Sequence, residues 1–250
     1  MRDLAARIGP ALREVIHLGD IQTEINLRAT GSMLLALFDD DPDRAAGELT
    51  IARANLARSS FVVQHYFCLV GDMQVAMYQG DGQRALAILE REWRAVKRSM
   101  LLRVETMRTM TLEHRARASL HASIQAGGSP ALLARARRDA DALARVAVPW
   151  AVAYAEHVRA CIAAATRAPD AADHFARARA RFEAAGMGLY AAVARRRQGE
   201  LRGGAEGARD IDEADAWMRA QGVRSPAAIT RLHAPTGGAV GREPPGAAPS

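Results

Sequence analysis

Signals that start a helix recur along this chain at similar intervals, and this recurrence limits the fold more than any other feature of the sequence. Asp41 and Asp81 lie 40 residues apart, Pro130 follows Asp81 by 49 residues, and Asp170 follows Pro130 by 40. An aspartate before a helix accepts a hydrogen bond from an unpaired N–H of the first turn, and proline suits that turn because it lacks the N–H. Each interval has room for about two helices, so the spacing predicts a stack of helix pairs.

The apolar residues between these signals repeat with the period of an α-helix. The clearest stripes are Val63, Tyr66, Phe67, Val70, Met73 and Met77; Leu86, Leu89, Trp93 and Val96; and Trp150, Ala153, Tyr154, His157, Cys161 and Ile162. No stretch alternates as a strand does. We expect helices near residues 10–18, 21–37, 42–58, 62–78, 82–97, 100–125, 130–147, 149–166, 170–185, 188–201, 206–220 and 226–232. The predicted fold is all-α, an α-solenoid of divergent tetratricopeptide-like helix pairs.

The two ends of the chain differ from the predicted repeat array, which covers residues 20–233. Residues 1–19 carry weak helix signals interrupted by Gly9-Pro10, which predicts a partial or frayed helix without the polar cap that such arrays need. The sequence therefore reads as if further repeats preceded it. Residues 234–250 hold four prolines, four glycines and one large apolar residue, Val240. We expect them to form a disordered tail.

Composition and charge argue against several classes of protein. No apolar run approaches the ~20 residues that cross a bilayer, so no membrane partner is expected. The first residues, Met1–Leu4, lack the apolar stretch of a secretory signal, and Cys68 with Cys161 makes no disulfide framework. A cytoplasmic protein is predicted. The net charge is +6 with a pI near 10.1, but acids are interleaved with the arginines, so direct nucleic-acid binding is not favoured.

Three segments carry motifs of a known kind of repeat region. They are Val63-Gln64-His65-Tyr66-Phe67 through Met77-Tyr78-Gln79-Gly80-Asp81-Gly82; Ser99-Met100-Leu101-Leu102-Arg103-Val104 with the helix that follows; and Ala216-Trp217-Met218-Arg219-Ala220-Gln221-Gly222-Val223 with Pro226 and Ala234-Pro235. In order and spacing they resemble the C-terminal helical-repeat region of large multidomain serine/threonine protein kinases of myxobacteria and related bacteria. The resemblance covers residues 20–235 and implies a helical fold with a sensory or scaffolding role beside a kinase.

The motifs of kinase chemistry are missing from this sequence. It has no glycine-rich loop followed by a strand lysine, no His-Arg-Asp, no Asp-Phe-Gly and no Walker motif. The resemblance therefore implies no catalytic residue for this chain. We do not expect an enzyme.

Other chemistry-bearing residues favour structural interpretations. His157 and Cys161 share a helix face, but zinc needs three or four ligands and a Cys–His dyad needs an orienting group, so we expect a packed cysteine beside a satisfied histidine. His114 and His121 are separated by ~10.5 Å of helix rise, too far to chelate one ion together. The run Asp39–Asp41 lacks the ligand spacing of a calcium loop. No metal and no cofactor is predicted.

Two further patterns match nucleotide or nucleic-acid motifs in composition only. Gly203–Gly207 follows a helix rather than a strand, so a phosphate cradle is not expected. The basic clusters are predicted on the surface of helices and lack a compact recognition helix that would read DNA. They comprise Arg135, Arg137 and Arg138, and Arg195, Arg196 and Arg197.

One polar patch is the candidate site for a partner. Gln64, His65 and Tyr66 open one predicted helix, and Arg103 and Arg108 line another. The inner helices of stacked pairs line a groove that binds peptides or partner helices, and arginines there favour an acidic ligand. The competing interpretation places Tyr66 in the core and the arginines in solvent.

These observations predict a non-catalytic protein–protein interaction module, a scaffold or sensor associated with or derived from a bacterial serine/threonine kinase. Its partner would be a protein or peptide, such as a kinase or a regulator. Two alternatives stay open: the repeat arm of an ATPase-linked transcriptional regulator, and a non-functional fragment of a kinase gene. Salt-sensitive DNA binding would favour the first alternative. Rapid hydrogen exchange before about residue 40 would favour the second.

Overall fold

The computed structural model describes residues 2–56 and 60–237, and every regular element in those residues is helical. The helices are α1 (Arg2–Leu18), α2 (Ile21–Asn26), α3 (Met33–Phe38), α4 (Pro42–Ala54), α5 (Val63–Tyr78), α6 (Gly82–Arg98), α7 (Glu105–Gln125), α8 (Pro130–Ala144), α9 (Pro149–Ala165), α10 (Ala171–Ala184), α11 (Gly188–Arg202), α12 (Gly204–Ala220) and α13 (Pro226–His233). A π-helical segment, Leu27–Ser32, joins α2 to α3, and a 3-10 turn, Met100–Arg103, precedes α7. The all-α prediction is confirmed for these residues.

The starts of the helices confirm the capping prediction in part. Oδ1 of Asp41 and Oδ1 of Asp81 each accept a hydrogen bond of 2.9 Å from the backbone N–H three residues later, at the start of α4 and α6. Ser129, Ser225 and Asp170 precede α8, α13 and α10 without such a bond. At the two serines, the proline at the first helical position is what suits the chain to a helix start, because it has no N–H to satisfy.

Consecutive helices from α3 to α12 pack against one another, which gives an array of helix pairs consistent with a solenoid. From α5 onward, the odd-numbered helices bury more of their residues than their even-numbered neighbours: ten of the 17 residues of α9 are buried, against four of the 15 residues of α8. Helix α7 also contacts both α5 and α9. We therefore call α5, α7, α9 and α11 the inner layer, and α4, α6, α8, α10 and α12 the outer layer.

Small residues let the helices approach closely where the two layers meet. A Cβ on Gly82 would lie 2.3 to 2.6 Å from backbone atoms of α7 at His121 and Ala122. A Cβ on Gly199 would lie 2.5 Å from the carbonyl oxygen of Gly207, where α11 crosses α12. Any side chain at these positions displaces a backbone, so the layers depend on glycine there.

The first helix differs from its prediction. An internal proline costs a helix about 3 kcal/mol or more, so the sequence predicts a break at Gly9-Pro10. Helix α1 instead runs without interruption from Arg2 to Leu18, with Pro10 inside it. Ile8, on the turn before the proline, is buried against Gly31 of the π-helical segment. Burial of this side chain holds the first half of α1 on the array and offsets part of the cost of the proline.

The predicted tail begins later than the sequence indicates. Ala234 is fully buried and Pro235 is buried, so residues 234–237 belong to the packed array rather than to a disordered tail. The carbonyl oxygen of Ala234 accepts a hydrogen bond of 2.8 Å from Nε of Arg197, and such a contact is invisible to composition. The remainder of the predicted tail, residues 238–250, lies outside the described residues.

The last helix returns to the beginning of the array. Helix α13 contacts α11 and α12, its neighbours along the chain, but also α5. Just before α13, the N–H of Arg224 donates a hydrogen bond of 2.7 Å to the carbonyl oxygen of Phe38, at the end of α3. Helix α13 therefore lies across the inner layer and links the two halves of the array. Among the described helices, none combines the length and the apolar character needed to cross a membrane.

Candidate functional site

The C-terminal end of α13 is held by side chains from three successive helices of the inner layer. Each side chain donates one hydrogen bond to one of three consecutive backbone carbonyls. The pairs are Nε2 of His121 (α7) with Leu232 at 3.1 Å, Nε2 of His157 (α9) with His233 at 3.0 Å, and Nε of Arg197 (α11) with Ala234 at 2.8 Å. The last carbonyls of a helix have no partner within the helix, so these donors satisfy buried oxygens that would otherwise be unpaired. We call the three donors and three carbonyls the inner-face clamp.

Burial keeps the two clamp histidines neutral. Desolvation lowers the pKa of His121 and the pKa of His157 from 6.5 to about 4. A neutral imidazole carries one ring hydrogen, and the contact with a carbonyl assigns that hydrogen to Nε2 in both rings. Nδ1 of His157 is then an acceptor without a hydrogen-bond partner in the described part of the chain.

A buried arginine on α7 lies next to the clamp. Arg117 is 2% exposed, and its Nη1 donates to Nδ1 of His233 at 2.6 Å while its Nη2 donates to Oε2 of Glu113 at 3.3 Å. A buried charge is tolerated only when it is paired and hydrogen-bonded, and Glu113, 3% exposed, supplies the opposite charge. Burial, together with the charge of Arg117, holds the pKa of His233 well below its usual range.

Aromatic rings enclose this polar cluster. The ring centroid of His157 lies 5.4 Å from that of Phe182 and 5.9 Å from that of Phe175. The ring centroid of Tyr190 lies 4.9 Å from that of His233. The rings meet edge to face, an arrangement that aromatic pairs prefer. Hydrogen bonds in such an apolar setting are stronger than in water, and an unpaired polar group there is more costly.

Cys161 and His157 do not form an activated Cys–His dyad in this cluster. Burial raises the pKa of the Cys161 thiol to about 12, so the thiolate that a Cys–His dyad requires is not formed near neutral pH. His157, four residues earlier, is committed to a carbonyl oxygen. Within the described residues, no group of three or more His, Cys, Asp or Glu side chains could hold a metal ion.

Two of the five residues of the predicted partner patch lie in the interior. Gln64 and Tyr66 are buried, and the hydroxyl of Tyr66 accepts a hydrogen bond of 3.0 Å from a threonine of α7. Nδ1 of His65 accepts a hydrogen bond of 3.3 Å from the backbone N–H three residues earlier, at the start of α5. Arg103 is exposed in the 3-10 turn, and Arg108 is exposed on α7. The burial of Gln64 and Tyr66 leaves three accessible members, whose role in partner binding stays a prediction.

The clamp residues are absent from the sequence-based patch, although part of their pattern is visible in the sequence. Glu113, Arg117 and His121 follow one another at intervals of four, which puts three polar side chains on one face of α7. A polar stripe on a helix between two others indicates a buried polar contact. The partner of that stripe, the end of α13, lies more than 100 residues away in the chain, and no local signal identifies it.

The burial of Arg197 contradicts a second prediction. The sequence places the arginine run 195–197 on the surface, but Arg197 is 2% exposed. Arg195 and Arg196 pair with carboxylates of α12: Nε of Arg195 lies 2.9 Å from Oδ1 of Asp210, and Nε of Arg196 lies 2.8 Å from Oδ1 of Asp215. Successive residues of a helix point in directions about 100° apart. Neighbouring arginines of one run can therefore contact both the carboxylates of α12 and the interior of the array.

Comparison of the chain with protein-family models, with curated proteins and with solved structures finds no match in any of the three. The functional assignment therefore depends on the geometry of the clamp and of the surface.

Proposed function

We propose that this chain is a non-catalytic, protein-binding helical-repeat module whose inner layer binds a peptide segment. Its own residues 226–237 fill that place in the structure. The observation that supports the proposal is the inner-face clamp, in which three successive inner helices each bind one of three consecutive carbonyls. Every peptide has such carbonyls, so the same donors suit a segment of another protein. We also propose that the helix pairs are divergent tetratricopeptide-like repeats, because repeats of that kind present an inner surface for binding.

The apolar contacts of α13 follow a known mode of peptide recognition. Ile229 and Leu232 are one turn apart and fully buried, as are the anchors of a helix that lies in a groove. Burial of each side chain is worth roughly 1.5–3 kcal/mol, and each hydrogen bond of the clamp about 1 kcal/mol. The anchors therefore supply most of the affinity, while the clamp sets the position of the segment.

The kind of partner rests on the sequence resemblance alone. A role beside a bacterial serine/threonine kinase would make the displacing segment part of that kinase or of its regulator. The polar stripe of α7 then selects a segment that presents carbonyls at the end of a helix.

The test separates α13 from the array without removing it. A site for a specific protease, inserted between Arg224 and Ser225, leaves residues 225–250 bound without a covalent link after cleavage. We expect a fluorescein-labelled peptide of residues 225–237 to exchange into the cut protein, with a rise in fluorescence anisotropy. Circular dichroism should show that the array stays helical.

Two matched controls sharpen this experiment. A peptide with Leu232→Asp places a charge at a fully buried anchor, so it should not exchange. A cut chain with His157→Phe lacks one clamp donor but keeps a ring of similar size, so it should bind the native peptide several-fold more weakly (about 1 kcal/mol). If the cut chain unfolds, or stays helical and fails to exchange the native peptide, α13 is a permanent part of the core and the proposal is wrong.

A further inference from the structure

A groove between α6, α7 and α8, away from the clamp, combines an aromatic ring with an excess of positive charge. Its volume is about 650 Å³, and its lining includes five cationic and two acidic side chains. We call it the Trp93 groove and define it by Trp93, Arg94, Lys97, Arg115 and Arg138. Cavities of ~300–1,000 Å³ are the usual size of ligand sites.

Arg115 is held in one orientation over the ring of Trp93. Its guanidinium carbon lies 4.7 Å from the ring centroid, within the range of a cation–π contact. Asp139, 2% exposed, accepts hydrogen bonds from Nε at 2.9 Å and from Nη2 at 2.5 Å. A buried carboxylate paired through two bonds fixes the plane of the guanidinium. Nη1 takes no part in this pairing.

The other cations of the groove divide into paired and unpaired groups. Arg135 pairs with Glu90 at 2.9 Å. Arg94, Lys97 and Arg138 are exposed, and within the described part of the chain none of them has an ion-pair partner. Arg94 and Lys97 are three residues apart, so they share a face of α6, while Arg138 comes from α8. The groove therefore presents uncompensated positive charge from two helices beside one aromatic ring.

We propose that the Trp93 groove binds an acidic peptide segment of a partner protein. Carboxylates of the segment would pair with Arg94, Lys97 and Arg138, and an apolar side chain between them would contact the exposed part of Trp93. A nucleic acid fits less well, because only a short run of unpaired cations is present and a nucleic acid needs a longer track of positive charge along its backbone. The groove shares no residue with the inner-face clamp, so this inference stands independently of the proposed function.

The test measures binding of an acidic probe to the full chain. We expect a fluorescein-labelled peptide with the repeat Glu-Glu-Leu to bind, as measured by fluorescence anisotropy, and its affinity to fall as salt is added. The matched peptide with the repeat Gln-Gln-Leu keeps the size and the apolar residue but has no charge, and it should not bind. Failure of the native chain to bind the acidic peptide overturns the proposal.

Two triple variants separate the groove from the overall charge of the protein. Arg94→Gln, Lys97→Gln and Arg138→Gln together should weaken binding about tenfold, because three exposed pairs are lost. The control, Arg7→Gln, Arg13→Gln and Arg209→Gln, removes the same charge from exposed sites elsewhere and should leave the affinity unchanged. Equal weakening in both variants, or none in the first, contradicts the assignment. So does a single-stranded DNA probe that binds more tightly than the peptide and loses that affinity in the first variant.

Discussion

Arg115 and Arg117 stand two residues apart on α7 and occupy opposite kinds of environment. A separation of two residues turns a side chain by ~200° around a helix, so Arg115 faces the outer layer and Arg117 the inner layer. Arg117 is 2% exposed and bound to Glu113 and His233, whereas the side chain of Arg115 is 25% exposed and lies over Trp93. The same residue type therefore orders the interior in one case and prepares a surface for a ligand in the other.

The two sites also differ in their exposure to solvent. The inner-face clamp is closed by aromatic rings, and its histidines are neutral because burial disfavours their charged forms. The Trp93 groove is open, and its unpaired cations are solvated, so salt weakens what they bind. We expect changes at the clamp to alter stability strongly and changes at the groove to alter binding with little effect on stability.

The largest effect should come from acid. The pKa of His121 and the pKa of His157 are lower in the folded chain than in the unfolded chain, so the unfolded chain binds more protons below pH 6.5. Their contribution to stability is complete above pH 6.5 and is lost as the pH falls from 6.5 toward 4, by roughly 3 kcal/mol for each histidine. Urea unfolding at a series of pH values measures this. A double variant, His121→Gln with His157→Phe, should show a flatter profile over the same window, and an unchanged slope would contradict the assignment.

Removal of the buried arginine comes next. Arg117→Met leaves the carboxylate of Glu113 buried without its partner, and we expect a loss of about 3–5 kcal/mol in the free energy of unfolding. The matched variant at the groove, Arg94→Met, changes an exposed side chain and should shift that free energy by no more than about 0.5 kcal/mol. Urea unfolding compares the two. Similar losses would show that burial does not distinguish the two sites.

A smaller effect is expected at the contact that supports the clamp from behind. In Gly82→Ala the new methyl group meets the backbone of α7 at His121, so α6 must shift, with a loss of about 1–3 kcal/mol. The control, Gly47→Ala, lies in the exposed face of α4 with no neighbour within 4 Å, and it should stabilise the chain by about 0.5–1 kcal/mol. Thermal unfolding of both variants gives the comparison, and a neutral Gly82→Ala would mean that the two helices are not in firm contact.

Apart from the two control substitutions, Arg115→Lys should have the smallest effect on stability. Lysine keeps a positive charge beside the buried carboxylate of Asp139 but cannot form the two-bond contact with it, so we expect a loss of about 1 kcal/mol. Affinity for the acidic peptide should fall several-fold, because the cation over Trp93 is no longer fixed. A variant that binds the peptide as well as the native chain would show that the guanidinium plane plays no part in recognition.

The helices were largely predictable because their signals are local. The spacing of apolar residues predicts a helix at 62–78, and the structure has Val63–Tyr78; it predicts 188–201, and the structure has Gly188–Arg202. Caps and proline at a helix start act within one turn, so a sequence pattern carries them well. The π-helical segment Leu27–Ser32 and the unbroken helix through Pro10 were not predictable in this way. Ile8 packs against Gly31 there, and a contact between residues so far apart in the chain leaves no local pattern.

By itself the sequence determined that the chain is helical, where most helices begin and end, and that consecutive helices pair. Only the tertiary structure decided which polar residues meet. His233 lies 116 residues from Arg117, and Asp139 lies 24 residues from Arg115, yet each pair is in direct contact. These contacts depend on how successive helices are rotated against one another and on the return of α13 to the inner layer. That geometry results from small rotations between neighbouring helices, added over the whole array, so no short stretch of sequence determines it.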